Sequence, residues 1–289
     1  MKLKKLASLA AAAICALSLA ACASGAPAAK SDGAATGKTT VKLGVVGAIY
    51  EELWQPAKEQ LAKEGVDLQI VQFGDYATPN NALDSGDIDL NAFQHVAYLE
   101  SDSKANGYKI ETAGYTFIIP LNIYSTGKVK SVADLKDGDT IAYPNDPTNG
   151  GRALKVLEAA GLLKLKDGAG FSPTVDDVAS YTKKIQLKPL AANLIQTSLP
   201  DVTAGFVNGN YALSAGIDPA TAVYKDTKLD EKPYWNVIAA RSEDLKNADK
   251  KALYEKVVKA FQSDGTKKLF DGKFKGYFIP QGWDQDLLK

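Results

Sequence analysis

Two stretches of this chain carry side chains whose types and spacing could bind a small molecule. The first is residues 87–99, which contains His95, the only histidine among 289 residues. Apolar and polar residues alternate from 88 to 92 as in a half-buried strand, and a helical pattern follows. Phe93 and His95 therefore fall at the carboxyl end of a predicted strand, the edge where open α/β sheets bind ligands. Alternatively, Phe93 and Tyr98 are core residues and His95 is a satisfied surface imidazole.

The second stretch is the loop from Asn145 to Arg152. A turn that leads onto the first turn of a helix is predicted from its Pro147, Gly150 and Gly151. Free backbone N–H groups and the positive end of the helix dipole would make this turn an anion site. Because an arginine is unfavourable beside that dipole, we expect a carboxylate to compensate Arg152, which can hold it through two parallel bonds. The carboxylate belongs either to a ligand or to an Asp or Glu elsewhere in the protein.

The motifs of common enzyme and cofactor sites are missing from the sequence. The glycine-rich loop is not followed by Gly-Lys-Ser/Thr, as a P-loop would be, and it has no dinucleotide-binding fingerprint. There is no Gly-x-Ser-x-Gly elbow, and the single histidine has no obvious catalytic partner. His95 with carboxylates alone would be a weak set of ligands for a transition metal. We therefore predict no enzymatic activity, no cofactor and no metal site.

The N-terminus has the pattern of an export signal. Lysines precede an apolar run, Leu6–Ala21, that is too short to cross a bilayer comfortably. The run ends on Leu-Ala-Ala-Cys22, which resembles the bacterial lipobox, the recognition site of lipoprotein signal peptidase. This resemblance implies that residues 1–21 are a signal peptide and that the mature protein begins at Cys22, with lipid on its sulfur and amino group. Such a protein is anchored to a membrane and does not span it; the alternative is an ordinary secretory signal that happens to contain a cysteine.

Composition narrows the remaining possibilities. Cys15 would be removed with the signal peptide, which leaves no pair for an internal disulfide and no thiolate metal site. The chain has 34 basic and 34 acidic residues, and removal of Lys2, Lys4 and Lys5 makes it mildly acidic, which argues against nucleic-acid binding. Residues 22–40 have little to bury and are predicted to form a flexible tether. The rest is long enough for one large domain or two lobes.

The first hundred residues predict alternating strands and helices. Strands are expected at Val41–Gly47 and Val66–Phe73, with a helix over Tyr50–Lys63 between them. A second helix is predicted to begin at Thr78-Pro79, because a capping residue followed by proline signals a helix start. The strand and helix around His95 come next. This order predicts parallel βαβ units with right-handed crossovers.

The later part of the chain resumes this pattern after an interruption. A long apolar strand is predicted over Tyr115–Tyr124, where Pro120 should mark an edge or a bend and the chain is expected to cross between lobes. Ser131–Asp134 has the capping box of a short helix. Further strands are predicted at Thr140–Tyr143, Ile185–Leu187, Val202–Val207 and Asn236–Arg241, and helices over 150–160, 249–262 and 264–270. The interrupted pattern fits two lobes joined by more than one crossing of the chain.

Several groups of residues occur in a distinctive order. They are Asp75-Tyr76, Asn91-Ala-Phe-Gln-His95 with Tyr98-Leu99, Pro144-Asn-Asp-Pro-Thr-Asn149 with Gly151-Arg152, Asn208 with Tyr211-Ala212, and Pro233-Tyr234 followed by Asn236. In this order they closely resemble the methionine-binding lipoproteins of ABC importers, the MetQ/NlpA type. The resemblance covers about residue 41 to the C-terminus.

The resemblance implies an α/β, two-lobed periplasmic-binding-protein fold, type 2 like, with the ligand cleft between the lobes. Lobe 1 would comprise residues 41–125 and 233–289, and lobe 2 residues 126–232. Members of the family close over one free amino acid and dock on a permease with its ATPase. We therefore expect a monomer, anchored at the extracytoplasmic face of the cell membrane, that captures L-methionine, a closely related amino acid or a methionine-containing dipeptide.

The resemblance also implies a role for individual residues. The aromatic pocket for the thioether corresponds to Tyr76, Phe93, His95 and Tyr98. Arg152 corresponds to the carboxylate clamp. The amide groups around the zwitterion correspond to Asn149, Asn208 and Asn236. The chemistry agrees with these roles. A thioether sulfur gains about 0.3 to 1.5 kcal/mol against a well-placed ring, and an amide can satisfy both an ammonium and a carboxylate group.

Two positions depart from the family pattern. Gly47-Ala-Ile-Tyr-Glu51 stands where members usually have a Gly-Pro-His-like turn, and Val96-Ala97 stands where a Lys-Pro pair is common. The fold and class survive these changes, but strict methionine specificity does not follow. A second hypothesis is a surface lipoprotein of the same fold that has lost transport and serves adhesion or signalling.

The lipid anchor can be tested through Cys22. We expect Cys22→Ala to release the protein from membranes and to leave ligand binding unchanged, because the tether separates the anchor from the folded part. Membrane fractionation and titration with L-methionine measure the two effects. Membrane retention of the variant would contradict the lipobox assignment.

Overall fold

Strand and helix alternate through the part of the chain that the structure describes, residues 38–289 of a computed structural model. The predicted signal peptide, Cys22 and most of the tether lie outside these residues. The strands are β1 (Thr39–Val46), β2 (Val66–Phe73), β3 (Leu90–Asn91), β4 (Ile110–Tyr115), β5 (Phe117–Ile118), β6 (Asn122–Tyr124), β7 (Thr140–Pro144), β8 (Leu163–Leu165), β9 (Val178–Tyr181), β10 (Gln186–Leu190), β11 (Ala204–Val207), β12 (Val237–Arg241) and β13 (Ile279–Pro280). The helices are α1 (Ile49–Leu53), α2 (Gln55–Lys63), α3 (Pro79–Asp84), α4 (Val96–Asn106), α5 (Pro147–Ala159), α6 (Ala192–Ser198), α7 (Gly209–Ser214), α8 (Ala248–Phe261) and α9 (Asp264–Gly272).

The first sheet contains the parallel units that the sequence predicts. Its strand order is β2-β1-β3-β12-β4. β1 pairs in parallel with β2 along its whole length, from Thr39 opposite Val66 to Val46 opposite Phe73, and in parallel with β3 on its other side. β12 arrives from much later in the sequence and is antiparallel to both β3 and β4. The carboxyl ends of β1, β2 and β3 therefore share one edge of the sheet with the start of β12.

A second sheet forms in the middle of the chain, with the order β10-β7-β11-β6. β7 pairs in parallel with β10 and β11, and β6 is the antiparallel edge strand. Because β6 already pairs here, the chain reaches the second sheet before residue 125. The assignment of residues 41–125 and 233–289 to one lobe and 126–232 to the other stays a proposal.

Three predicted elements differ from the structure. The predicted long strand over Tyr115–Tyr124 is wrong, because these residues comprise the last residue of β4, all of β5 and all of β6. Pro120, which has no N–H to donate to a ladder, lies between β5 and β6. The helix over Tyr50–Lys63 is interrupted at Trp54, where α1 ends and α2 begins. The strand before His95 is shortened to β3, and a turn carries the chain from it into α4.

The glycines of the loop before Arg152 have a different role from the predicted one. α5 begins at Pro147, not at residue 150, with the Asp146 side chain as its N-cap, so Gly150 and Gly151 are already helical. A Cβ on Gly151 would lie 2.5 Å from the Ser172 Cα. These glycines therefore permit close packing of the helix and do not shape a turn. Arg152 lies in the second turn of α5, beyond the predicted first turn.

Each sheet has its own apolar core. Aromatic rings dominate the first, where the centroids of Trp54 and Phe261 lie 4.4 Å apart and Phe117 packs edge-on against Phe278 at 4.9 Å. Aliphatic side chains dominate the second, to which α5 contributes Ala153, Leu154, Val156 and Leu157. Between residues 38 and 289, no helix has the length and apolar character needed to cross a membrane.

The close packing of α5 can be tested with two alanine substitutions in helices. Gly151→Ala should lower the free energy of unfolding by about 1 to 3 kcal/mol, because the added Cβ meets backbone that must shift. Gly272→Ala is the matched control, because a Cβ there meets nothing within 4 Å, and it should raise the free energy of unfolding by about 0.4 to 1 kcal/mol. Urea denaturation measures both; equal effects would contradict the packing role of Gly151.

Candidate functional site

A cavity lies where loops that follow strands of both sheets meet. The space between its side chains is about 480 Å³, including space that is open to solvent. All eight side chains that the sequence predicts for a binding site line it: Tyr76, Phe93, His95, Tyr98, Asn149, Arg152, Asn208 and Asn236. Tyr76 follows β2, Phe93 and His95 follow β3, and Asn208 follows β11. This is the carboxyl-terminal edge at which α/β sheets bind ligands.

One wall of the cavity is aromatic. The Tyr76 ring lies 5.8 Å from Phe93 and 6.0 Å from Tyr98, and Phe93 and Tyr98 meet edge-on at 5.9 Å. The Tyr98 hydroxyl donates to the Tyr76 carbonyl at 3.0 Å, which fixes the two residues relative to each other. The Tyr211 ring is tilted by 38° against Tyr76, with the ring centres 5.1 Å apart. The rings thus form a rigid surface suited to an apolar or sulfur-containing group.

His95 is a helix cap with one nitrogen left over. Its Nδ1 accepts the backbone N–H of Tyr98 at 3.1 Å, at the start of α4. Burial, and next the positive charge of Arg152, lower the pKa of His95 from its usual 6.5 to about 3, so the ring is neutral. Since Nδ1 accepts, the proton lies on Nε2. Among residues 38–289 this buried Nε2–H has no acceptor in hydrogen-bonding geometry, although the Asn149 side chain lies near the ring. The alternative of a satisfied surface imidazole is therefore wrong.

A buried network of amide groups holds the loop that carries Phe93 and His95. Gln94 Nε2 donates to Asn80 Oδ1 at 2.6 Å and to Asn91 Oδ1 at 3.0 Å, and Asn80 Nδ2 donates to Gln94 Oε1 at 2.8 Å. Asn80 Nδ2 also donates to Asp102 in α4 at 2.8 Å. Asn80 and Asn91 are fully buried. A fully satisfied network of this kind rigidifies the backbone on either side of it.

Arg152 is buried, 4% exposed, and its charge is compensated by the protein. Its Nη2 donates to Asp226 Oδ2 at 2.7 Å and to the Ile119 carbonyl at 3.0 Å, and its guanidinium lies 4.7 Å from the centre of the Tyr234 ring. The predicted alternative of an ion pair elsewhere in the protein is thus present. Even so, in the described part of the chain the Arg152 Nε is buried without an acceptor.

The three predicted amides occupy different positions in the hydrogen-bond network. Asn149 Nδ2 donates to both carboxylate oxygens of the N-cap Asp146, at 3.1 and 3.0 Å. Asn208 Nδ2 donates to Asn149 Oδ1 at 2.9 Å, whereas Asn208 Oδ1 is buried and finds no donor among residues 38–289. The backbone N–H of Asn236 donates to the Phe117 carbonyl at 2.7 Å, at the entry to β12. Asn149 therefore positions Asn208, whose oxygen stays available.

The cavity combines free donors with a free acceptor. The donors are His95 Nε2–H and Arg152 Nε–H, and the acceptor is Asn208 Oδ1. Buried polar groups are normally paired, so groups left unpaired in one cavity point to a ligand that completes them. A ligand with a carboxylate, an ammonium group and an apolar side chain would do so beside the aromatic wall. No cluster of three or more His, Cys, Asp or Glu residues suited to a metal occurs between residues 38 and 289.

Sequence reasoning missed several residues of this site. Tyr50 and Asn210 line the cavity, and Asp226 and Tyr234 contact Arg152 without lining the cavity themselves. Tyr50 lies in the Gly47–Glu51 segment that departs from the family pattern, so its position gave a signal. Asp226 gave none, because it is one acid among many in a loop 74 residues from Arg152.

Comparison with known proteins identifies close relatives. A family model described as NlpA lipoprotein matches residues 41–282. The D-methionine-binding lipoproteins MetQ of Yersinia pestis and Escherichia coli strain K12 are 41% and 40% identical over 248 residues, which is 84% of this chain and 88% of each relative.

Solved structures of similar proteins have the same fold. A nutrient-binding protein from Burkholderia cenocepacia, bound to methionine, is 41% identical with a TM-score of 0.77, and the match covers 83% of this chain and 99% of that one. The substrate-binding protein of a methionine transporter from Streptococcus pneumoniae is 32% identical with a TM-score of 0.78, covering 83% and 95% of the two chains. The predicted fold class and family resemblance are confirmed.

The buried neutral state of His95 predicts a pH dependence of stability. Below pH 6.5 the unfolded chain takes up a proton on His95, whereas the folded protein does not until about pH 3, so the free energy of unfolding falls as the pH falls. From pH 6.5 to 5 this effect is about 1.5 kcal/mol. His95→Asn keeps a helix-capping acceptor and removes the titration.

Denaturation at several pH values measures the effect as the difference between parent and His95→Asn. Because His95 is the only histidine, the difference isolates its proton uptake, and carboxyl groups contribute equally to both proteins. The parent should lose about 1.5 kcal/mol more than the variant over this interval. Parallel pH profiles would show that folding does not lower the pKa of His95.

Proposed function

This chain belongs to the NlpA lipoprotein family and has a periplasmic-binding-protein fold, and from this premise we propose that it is the substrate-binding protein of an ABC importer. Its ligand is L-methionine or a close relative, which includes D-methionine and methionine-containing dipeptides. Its partners are the ligand, a permease with its ATPase, and the membrane in which the lipid on Cys22 is inserted. It acts as a monomer on the extracytoplasmic face and catalyses no reaction.

The single observation that carries this proposal is the set of unpaired polar groups in the cavity. Arg152 Nε–H binds the ligand carboxylate, and Asn208 Oδ1 accepts from the ligand ammonium group. The rings of Tyr76, Phe93 and Tyr98 surround the thioether, and His95 adds its ring and its free Nε2–H to this end of the cavity. An unpaired buried donor or acceptor costs about 1 to 3 kcal/mol, which a ligand that pairs all three groups removes.

The ion pair between Arg152 and Asp226 is compatible with a carboxylate clamp. A guanidinium has five N–H donors, and Asp226 uses only the Nη2 end. Asp226 keeps Arg152 neutralised while the cavity is empty, and the Nε side remains for the ligand. With His95 neutral, Arg152 is the only charged side chain that lines the cavity, and Asp226 pairs with it, which suits a zwitterion better than an acidic or basic amino acid.

The cavity also requires that the two sheets separate to admit a ligand. Its lining residues are buried, with Phe93 5% and Asn149 3% exposed. We assign the two moving lobes to the predicted residues 41–125 with 233–289 and 126–232, with the first boundary moved back to Pro120 because β6 pairs with β11 of the second sheet. The second hypothesis, an adhesion or signalling lipoprotein without transport, leaves the unpaired cavity groups without a purpose, and the relatives are named for methionine binding.

The clamp predicts a difference between Arg152 and His95. Arg152→Ala should weaken L-methionine binding about 30-fold to several thousand-fold, a cost of about 2 to 5 kcal/mol, because an anion is then buried without a partner. His95→Ala should cost only about 1 to 2 kcal/mol and should relax the preference among apolar amino acids. Calorimetric titration of both variants with L-methionine, leucine and a methionine-containing dipeptide measures the order.

A second variant guards against misfolding, because Arg152→Ala also strands the buried Asp226. Arg152→Lys keeps a cation for Asp226 and removes the Nε–H donor, so it should fold and bind L-methionine about 10- to 100-fold more weakly. Near-parental affinity in Arg152→Lys and Arg152→Ala would show that Arg152 serves only the ion pair. A thermal-shift screen in which none of the amino acids or dipeptides raised the parent's midpoint would contradict the transport role itself.

A further inference from the structure

Asn210 connects the two sheets across the cavity. It lies in α7, which follows β11 of the second sheet. Its Oδ1 accepts the Tyr76 hydroxyl at 2.6 Å, and its Nδ2 donates to the Val46 carbonyl at 2.9 Å. Val46 ends β1 and Tyr76 follows β2, so both partners belong to the first sheet. One side chain from the second sheet therefore holds two separate loops of the first.

Two other hydrogen bonds of α7 also reach loops of the first sheet. The Tyr211 hydroxyl donates to the Gly74 carbonyl at 3.3 Å, and Ser214 Oγ accepts the backbone N–H of Ile49 at 3.2 Å. These two contacts are longer than those of Asn210, and each joins α7 to a single loop. Asn210 is buried, 6% exposed, and its two hydrogen bonds are the shortest of these α7 contacts.

The chemistry of the two contacts requires asparagine. The Val46 carbonyl needs a donor and the Tyr76 hydroxyl needs an acceptor, and a carboxamide supplies both at the ends of one rigid plane. Aspartate would supply no donor and would place an oxygen against the Val46 carbonyl. Burial raises the pKa of Tyr76 well above 10, so its hydroxyl keeps the proton that it donates.

The same contacts tie closure to the ligand. Tyr76 belongs to the aromatic wall, so the residue that Asn210 holds is also one that contacts the ligand. Separation of the sheets must break both bonds of Asn210 before the Tyr76 ring can leave the cavity. Nothing in this step hinders the entry of a ligand into an already open protein.

We propose that Asn210 is a positioning residue that holds the binding cavity closed and thereby sets the rate of ligand release. This inference rests on the proposed function, because it takes the ligand to be an amino acid bound in this cavity. It assigns to Asn210 a role that is separate from ligand contact by Arg152 and Asn208. Its effect belongs to the dissociation rate, the usual place where affinity differences between related complexes arise.

The test measures release of L-methionine from the full-length mature protein by stopped-flow fluorescence. Asn210→Ala should raise the dissociation rate about tenfold, as expected for the loss of two buried hydrogen bonds, and should leave the association rate within about twofold. Asn210→Asp has the same shape without the donor and should raise the dissociation rate at least as much. Asn193→Ala, whose Nδ2 lies 3.4 Å from the Gly74 carbonyl, is the control and should match the parent.

Two results would overturn the inference. A parental dissociation rate in both Asn210 variants would show that the contacts do not hold the cavity closed. A parental rate in Asn210→Asp alone, with a fast rate in Asn210→Ala, would show that the side chain acts through its volume and not through its hydrogen bonds.

A measurement without ligand separates this inference from the proposed function. Lys63 and Lys184 are exposed and lie beside the first and second sheets. Residues 38–289 contain no cysteine, so in the mature protein, whose Cys22 sulfur carries the lipid, Lys63→Cys and Lys184→Cys introduce the only free thiols for spin labels. Asn210→Asp should shift the label distances of the unliganded protein toward longer values. Identical distances in parent and variant would contradict the role of Asn210 in holding the cavity closed. Failure of the parent to bind any methionine compound would contradict the proposed function alone.

Discussion

Arg152 places a permanent positive charge at a buried position, and much of the cavity is arranged around that charge. A guanidinium does not lose its proton in a protein, so it must be paired where it is buried. Asp226 provides the pair at 2.7 Å and is itself fixed by the backbone N–H groups of Leu121, at 3.2 Å, and Lys228, at 3.0 Å. Desolvation costs several kcal/mol for each ion, and only such complete geometry offsets it. The ion pair therefore fixes α5 against the chain that enters β6.

The remaining polar groups of the cavity are constrained in a different way. Asn149 and the cap residue Asp146 satisfy each other and then position Asn208, and the amide network around Asn80 fixes the backbone of Phe93 and His95. Each free group is thus held by partners that are already satisfied. A preorganised site of this kind loses little entropy when a ligand completes it.

Apolar burial in the two cores provides the free energy that offsets the cost of the unpaired polar groups in the cavity. The first sheet buries a cluster of large rings around Trp54 and Phe117, and the second buries aliphatic side chains against α5. Tyr50 of the first cluster and Leu121 of the second also line the cavity, but most members of both clusters do not. Burial of a large apolar side chain contributes about 1.5 to 3 kcal/mol, which is comparable with the cost of one unpaired buried polar group. The cores can therefore stabilise a site that is incomplete without its ligand.

The sequence by itself determined the local features of this protein. The strands β1 and β2, the proline at the start of α3 and the capping box at Ser131 each follow from patterns within a few residues, and the structure has all of them. The eight cavity residues were predictable as well, because they belong to family motifs, and their assembly at one edge follows from the parallel βαβ order. Their individual roles in ligand binding stay predictions.

Only the tertiary structure decided which distant groups meet. Asp226 reaches Arg152 across 74 residues and Asn210 reaches Val46 across 164, and no local pattern distinguishes either from other acids and amides in loops. The same holds for Gly151, where the backbone of Ser172 packs so closely against α5 that a Cβ would collide with it. Periodicity and capping reflect hydrogen bonds and burial between near neighbours, whereas these contacts join residues far apart in the sequence and exist only in the folded structure.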